Sequence, residues 1–197
     1  MSGDTQRLLA SLERPLPEPV LYPVLVAVSG LPGTGKSFLS QRLAELMPLA
    51  VLESDALRKG LVPSPLYTAG ESARLFRAVY ELVDLLLKQR VPVLLDATNL
   101  LAVHRERLYE IAERHGAKVI LVRTKAPPEV VHRRLKERAG NPMRLDRSDA
   151  DWEIYLKMRA SQEHIRHDHV VIDTSRDIGT GVEEILREAQ RWMCRGQ

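Results

Sequence analysis

Eight consecutive residues, Gly30-Leu31-Pro32-Gly33-Thr34-Gly35-Lys36-Ser37, restrict what this chain can fold into more than any other stretch. They fit the spacing G-x-x-x-x-G-K-[ST] and lie between an apolar run, 24–29, and a helix-period segment beginning near Ser37. Glycines at 30, 33 and 35 let the backbone turn tightly with its N–H groups facing inward, toward phosphate oxygens. The N-terminus of the following helix adds the positive end of its dipole. Lys36 has the reach for the β and γ oxygens of a nucleotide, and the Ser37 hydroxyl suits Mg²⁺. Leu31, Pro32, Thr34 and Phe38 complete the expected phosphate-binding segment. A strand, this loop and a helix must therefore stand in that order.

The rest of the chain alternates in the same way. Short apolar runs at 24–29, 50–52, 91–95, 119–122 and 170–172 read as five buried strands. Between them, apolar residues recur at helical spacing: Leu39, Leu43, Leu46 and Met47; Leu75, Val79, Leu82, Val83 and Leu86; Leu108, Ile111 and Ala112; Val130, Val131 and Leu135; Val182, Ile185, Leu186, Ala189 and Met193. Strands apolar throughout, alternating with amphipathic helices, predict an α/β fold with a parallel sheet covered on both faces. The first 23 residues read as a short helix over 4–13 followed by an extended arm containing Pro15, Pro17, Pro19 and Pro23. The main domain is expected to run from 24 to 197.

Composition limits the function classes. A net charge of +3 is too small to imply a nucleic-acid binder by itself, and a lone cysteine, Cys194, excludes an intrachain disulfide. With no apolar run near the ~20 residues that span a bilayer and no signal-peptide pattern, the expectation is a cytoplasmic protein. A motor ATPase commonly carries a Glu directly after the Asp that ends an apolar strand; here Asp96 is followed by Ala97. A GTPase would need an Asn/Thr-Lys-x-Asp element, and Thr124-Lys125-Ala126-Pro127 has proline in the last place. Phosphoryl transfer to a hydroxyl is the reading that gains.

Such transfer needs a carboxylate near the γ-phosphate to take the acceptor's proton. Asp55 and Asp96 both follow apolar runs, and ligands of parallel sheets sit at those strand ends. Asp55 is the candidate base and Asp96, with Ser37, the candidate metal site. Arg58, one helical turn after Asp55, is a candidate to orient that carboxylate or grip an acceptor phosphate. The bland reading makes Ser54 or Asp55 a helix N-cap.

GLPGTGKS, then SDALRK, then YTAGESARLFRAVYELVDLLLKQRVPVLLDATNLLAVHRERL, together resemble a P-loop kinase family. It includes the kinase domain of polynucleotide 5′-kinases, and the chain is also similar to zeta-toxin-like kinases and uncharacterised bacterial ATP-binding proteins. The resemblance covers roughly residues 24–175. It implies a five-stranded parallel sheet ordered 2-3-1-4-5, with Asp55 as general base, Arg58 supporting the acceptor site, and Asp96, Thr98 and Asn99 near metal and acceptor. It also implies a mobile helical lid, at about 133–150, carrying arginines to the phosphates. Arg138 and Arg134, four apart on one helix face, are the preferred lid residues, with Arg144 and Arg147 beyond them. Thr174, after the fifth strand, is a candidate for the base of the nucleotide.

The expected activity is Mg²⁺-dependent transfer of the γ-phosphate of ATP to a hydroxyl acceptor. That acceptor is a polynucleotide 5′ end, a nucleotide or another small molecule. The alternative is an ATP-binding regulatory or NTPase module with no dedicated acceptor, for which the proline-rich arm is a contact surface.

Overall fold

A computed structural model describes residues 1–62, 64–139 and 150–195. In chain order the elements are α1 (Gly3–Ala10), β1 (Val24–Ser29), α2 (Lys36–Leu46), β2 (Ala50–Glu53), α3 (Ser54–Leu61), α4 (Ala69–Lys88), β3 (Val93–Asp96), α5 (Ala102–Arg114), β4 (Lys118–Lys125), α6 (Pro128–Ala139), α7 (Trp152–Ser161), β5 (Val170–Asp173) and α8 (Gly179–Met193). The five strands form one sheet, every pairing parallel, in the order β2-β3-β1-β4-β5. That is the expected architecture.

β1 shows why both faces must be covered. All six of its residues are buried, and successive side chains go to opposite sides of the sheet. Leu25 and Ala27 join a core with Leu8 of α1, Leu57 of α3, Leu82 of α4 and Leu108 of α5. Val24, Val26 and Val28 join the other, with Leu39 and Leu43 of α2 and Ile185 of α8. A third, smaller cluster packs Val131 and Leu135 of α6 and Tyr155 of α7 against Leu31 of the phosphate loop and Leu100. Tyr155, spaced helically from Trp152, is thus core.

β3 begins at Val93, two residues after the apolar run starts. Pro92 has no N–H to give a ladder, although its carbonyl accepts from Ala50 N at 2.8 Å. The N-terminal helix is tied to the domain by polar contacts as well as by Leu8. Asp4 accepts two 2.6 Å hydrogen bonds from Arg74 of α4, and the buried Thr5 hydroxyl donates to Glu81 at 2.8 Å. Among the described residues no helix is long and apolar enough to cross a membrane.

The strand order puts β1 between β3 and β4, so the segments leaving the carboxyl ends of β1 and β3 diverge around a crevice. Beneath it the segment after β3 is held by Arg105, which is 2% exposed. Its guanidinium donates to the carbonyls of Asn99 at 2.9 Å, Leu100 at 2.7 Å and His164 at 2.8 Å. Arg105→Ala would remove a donor from all three carbonyls, of which Asn99 O keeps the Ser29 hydroxyl at 3.2 Å and Leu100 O keeps Glu163 N at 3.1 Å. The expected loss is about 3–5 kcal/mol, seen in thermal melts as a Tm lower by roughly 10 °C.

Candidate active site

The phosphate loop adopts the turn that its glycines allow. Gly30 leaves β1 with its N–H bonded to Thr98 O at 3.0 Å, and a Cβ there would lie 2.2 Å from Thr124 Oγ1. Only glycine fits so close an approach. Gly35 sits at φ 82° as N-cap of α2, in the left-handed region that side chains other than glycine avoid. That helix start has no side-chain cap and no acidic residue in its first turn. Its N–H groups and dipole are thus left for an anion.

A chain of buried hydroxyls braces the loop from below. Thr34 Oγ1 donates to Leu31 O at 2.7 Å and lies 2.8 Å from Thr124 Oγ1, while Thr174 Oγ1 donates to Thr34 O at 2.8 Å. Arg134 of α6 closes the lattice, giving hydrogen bonds to Thr174 Oγ1 at 2.9 Å, Thr174 O at 2.7 Å and Gly33 O at 3.4 Å. Lys36 Nζ donates to Leu31 O at 3.3 Å. Leu31, 8% exposed, belongs to the cluster of α6 and α7 residues.

Above the loop opens a cleft of about 1410 Å³. A single small-ligand pocket usually occupies ~300–1,000 Å³, so this cleft is larger than one small ligand needs. Pro32, Gly33, Gly35, Lys36, Ser37 and Phe38 line one end, where Arg134, Arg138 and Thr174 also reach it. Asp55, Arg58, Tyr67, Ser72 and Phe76 line the other, with Asp96 and Thr98 on the floor.

Asp96 ends β3 and is 3% exposed. Burial pushes its carboxyl upward, opposed by the Lys36 ammonium and the nearby hydroxyls of Ser37 and Ser40; the negative charge of Asp55 pushes it further up. Its Oδ2 is buried and has no hydrogen-bond partner among the described residues. A buried carboxylate oxygen without a donor, beside a serine hydroxyl, has the hard-oxygen chemistry that suits Mg²⁺.

Asp55 occupies the first turn of α3. The N-cap of that helix is Glu53, which makes no side-chain cap bond, so neither Ser54 nor Asp55 is serving as the cap. Asp55 instead faces the cleft that Lys36 lines. Arg58 does not hold it. Arg58 is 7% exposed; its guanidinium donates from Nη1 to Glu71 Oε1 at 2.7 Å and from Nη2 to Ser72 Oγ at 3.3 Å, and carries the Tyr67 ring 4.9 Å from its centre. The hydrogen bond from Arg58, then that from the Leu66 amide, hold the Glu71 carboxyl below its usual value of 4.5. The pair's stabilisation is therefore complete above 4.5 and is lost as pH falls through the depressed value.

The remaining expected residues are dispersed. Asn99, at φ 45° and 2% exposed, spends its side-chain amide on Val28 O at 2.8 Å, underneath the loop and away from the cleft. Arg138 reaches the cleft and also donates to the Ala150 carbonyl. Arg144, Arg147 and most of the expected lid lie outside the described residues. Sequence reasoning missed Glu53, Tyr67, Ser72 and Phe76 as lining residues. Glu53 alone left a signal, being the last residue of a strand and directly opposite Asp96 in the sheet register.

A family model described as AAA domain matches residues 25–165. The shikimate kinase of Nitrobacter winogradskyi is 31% identical over 178 residues, covering 87% of this chain and 79% of its own. That of Chlorobium chlorochromatii is 25% identical over 183 residues, covering 87% and 93%. Among solved structures, the Mycobacterium tuberculosis APS kinase CysC in complex with AMPPNP and APS superposes with a TM-score of 0.60 at 23% identity, covering 86% of this chain and 97% of that one.

Proposed function

The chain belongs to this AAA domain family and is a P-loop kinase, and from that premise we propose that it moves the γ-phosphate of Mg²⁺-bound ATP to the hydroxyl of a small-molecule acceptor. The observation that carries the reading is the position of Asp55. A carboxylate in the first turn of α3, not used as the helix cap, lines the same cleft as Lys36 and the phosphate loop, in a space larger than a single small-ligand pocket.

In the proposed reaction Lys36 and the N–H groups at the start of α2 hold the phosphate chain. The acceptor alcohol lies between the terminal phosphorus and Asp55, which takes the hydroxyl proton as the new O–P bond forms. The bond from that phosphorus to the β–γ bridging oxygen breaks, and ADP leaves with the electron pair. Asp96 and Ser37 would hold Mg²⁺, which would offset charge on the phosphates. Arg138 supplies positive charge to the migrating phosphoryl group, as one of the cations expected on a lid. Arg134 braces Thr174 and the loop, and acts on the donor side through them.

The narrower resemblance to polynucleotide 5′-kinases and zeta-toxin-like kinases underlies the roles given to Asp55 and Arg58. The acceptors that it suggests belong in the test. Incubation with [γ-³²P]ATP and Mg²⁺ should label at least one member of a panel of sugars, cyclic and aryl alcohols, nucleosides and 5′-hydroxyl oligonucleotides. ADP should appear in step with labelled product. ADP formation that ignores every acceptor, with no labelled alcohol, would refute transfer and leave a nucleotide-hydrolysing or regulatory module.

A further inference from the structure

We infer that His104 and Tyr80 are positioning residues for the acceptor: they fix the plane of the Phe76 ring, which walls the acceptor end of the cleft, and so set how tightly the acceptor binds. This rests on the transfer reading and deepens it.

Phe76 and Tyr80 stand four residues apart on α4 and so share one face of that helix. Phe76 lines the cleft beside Tyr67 and Ser72; His104, against which it is stacked, does not. That imidazole stands in the first turn of α5. The two ring centroids are 5.1 Å apart, with an interplanar angle of 29°. Tyr80 lies tilted against both, 6.0 Å from the centre of Phe76 and 6.3 Å from that of His104. Stacking alone would let the imidazole turn in its own plane. The Tyr80 hydroxyl, 2.6 Å from His104 Nδ1, prevents that. An aliphatic side chain at position 104 could fill the same space, but it would not set the plane of the ring stacked on it.

The protonation states suit a lasting contact. Burial pushes the Tyr80 phenol up to about 12, so it keeps its proton at neutral pH. Burial, and then the charge of Arg105, hold His104 below its usual 6.5, against an opposing pull from Glu163. A neutral imidazole therefore takes the Tyr80 O–H at Nδ1 and carries its own proton on Nε2.

The stack is also tied to the floor of the cleft. His104 follows the segment that leaves β3 with Asp96 and Thr98. Arg105 pins that segment through the carbonyls of Asn99 and Leu100, and the Ala102 amide donates to Glu163. Phe76 is thereby set at a fixed place relative to Asp96 and Thr98. As an apolar wall it gives an acceptor contact area that is the same before and during transfer, and loss of such binding raises KM while leaving kcat alone. The nucleotide end has its own brace, from Thr34 through Thr174 to Arg134, so ATP affinity is independent of the stack.

The test follows phosphorylation by [γ-³²P]ATP with the full chain. Values of kcat and KM are measured for shikimate, adenosine, benzyl alcohol and every other alcohol of the wider panel that the wild-type protein labels. His104→Ala should raise the acceptor KM about three- to tenfold, the range of one aromatic contact, while kcat and the ATP Kd stay within about twofold. Tyr80→Phe, which loses only the hydroxyl, should raise KM in the same direction by less. Phe76→Leu should raise it at least as much as His104→Ala does. The double variant Phe76→Leu/His104→Ala should raise it no further, because the imidazole acts through the ring that it positions. An unchanged acceptor KM in His104→Ala, a parallel loss of ATP affinity, or additive effects in the double variant overturn the inference while leaving transfer standing. If His104→Ala does not fold, Tyr80→Phe decides alone, and a wild-type KM in that variant overturns the inference. If the wild-type protein labels no alcohol, the transfer reading itself falls and the inference with it.

Discussion

Asp55→Asn should bind ATP with an unchanged Kd and transfer its γ-phosphate at least 100-fold more slowly. The substitution keeps the size of the side chain and removes its capacity to take a proton, and loss of a general base costs about two to four decades in rate. The geometry predicts that little else changes. Asp55 lies at the start of α3, but the N-cap there is Glu53, so the substitution removes no cap and only the modest interaction of a first-turn carboxylate with the helix dipole, about 0.3–1 kcal/mol. Nor does Asp55 hold Arg58, whose bonds go to Glu71 and Ser72. The nucleotide end of the cleft is braced by a separate lattice from Thr34 through Thr174 to Arg134. Titration calorimetry with a non-hydrolysable ATP analogue and rapid-quench measurement of labelled product separate the two effects. A parallel loss of ATP affinity would place Asp55 at the nucleotide, and an unchanged rate would remove it from the chemistry.

How far such detail could be read in advance depends on the range over which each residue acts. The phosphate loop is a local device. Gly30, Gly35, Lys36 and Ser37 act within a few residues of one another, between a strand and a helix that share the motif, and their spacing alone locates them. The strands were legible for a related reason, since residues buried on both faces leave apolar runs. β3 was displaced because Pro92 interrupts the ladder without interrupting the apolar pattern.

Arg58 shows where this legibility stops. Its spacing from Asp55 suggested a partnership within one helix, but the guanidinium is drawn 13 residues onward to Glu71 by a chain reversal that needs a tyrosine at positive φ. No local pattern announces that. Arg134, expected on the lid, lines the cleft and also grips Thr174, forty residues away. Asn99 was expected near the acceptor and turns under the loop, because only there can it meet Val28 O. In each case a polar side chain answers a backbone or side-chain group that tertiary folding brings close. The motifs name the chemistry; long-range pairing decides which face of the cleft carries charge.

Asp96→Asn should make the free protein more stable and the enzyme at least 100-fold less active. In the free protein a fully buried carboxyl with a raised pKa is a liability. A folded-state value above the usual 3.8 means that the folded chain binds the proton more tightly than the unfolded chain does. Stability then falls as pH rises from 3.8 through the folded value. Asparagine removes the charge while keeping the shape, and its amide can donate to the hydroxyls of Ser37 and Ser40. A gain of ~1 kcal/mol would raise Tm by about 2–4 °C for a chain of this size. The cost falls on the proposed metal site, where an amide oxygen is a far weaker partner for Mg²⁺ than a carboxylate. The wild-type melt should accordingly respond to Mg²⁺ with ATP more strongly than the Asp96→Asn melt does, quite apart from turnover. If the variant melted lower than wild type at neutral pH in the absence of metal, Asp96 would be a structural carboxylate compensated by its neighbours, and the metal would have to be held elsewhere.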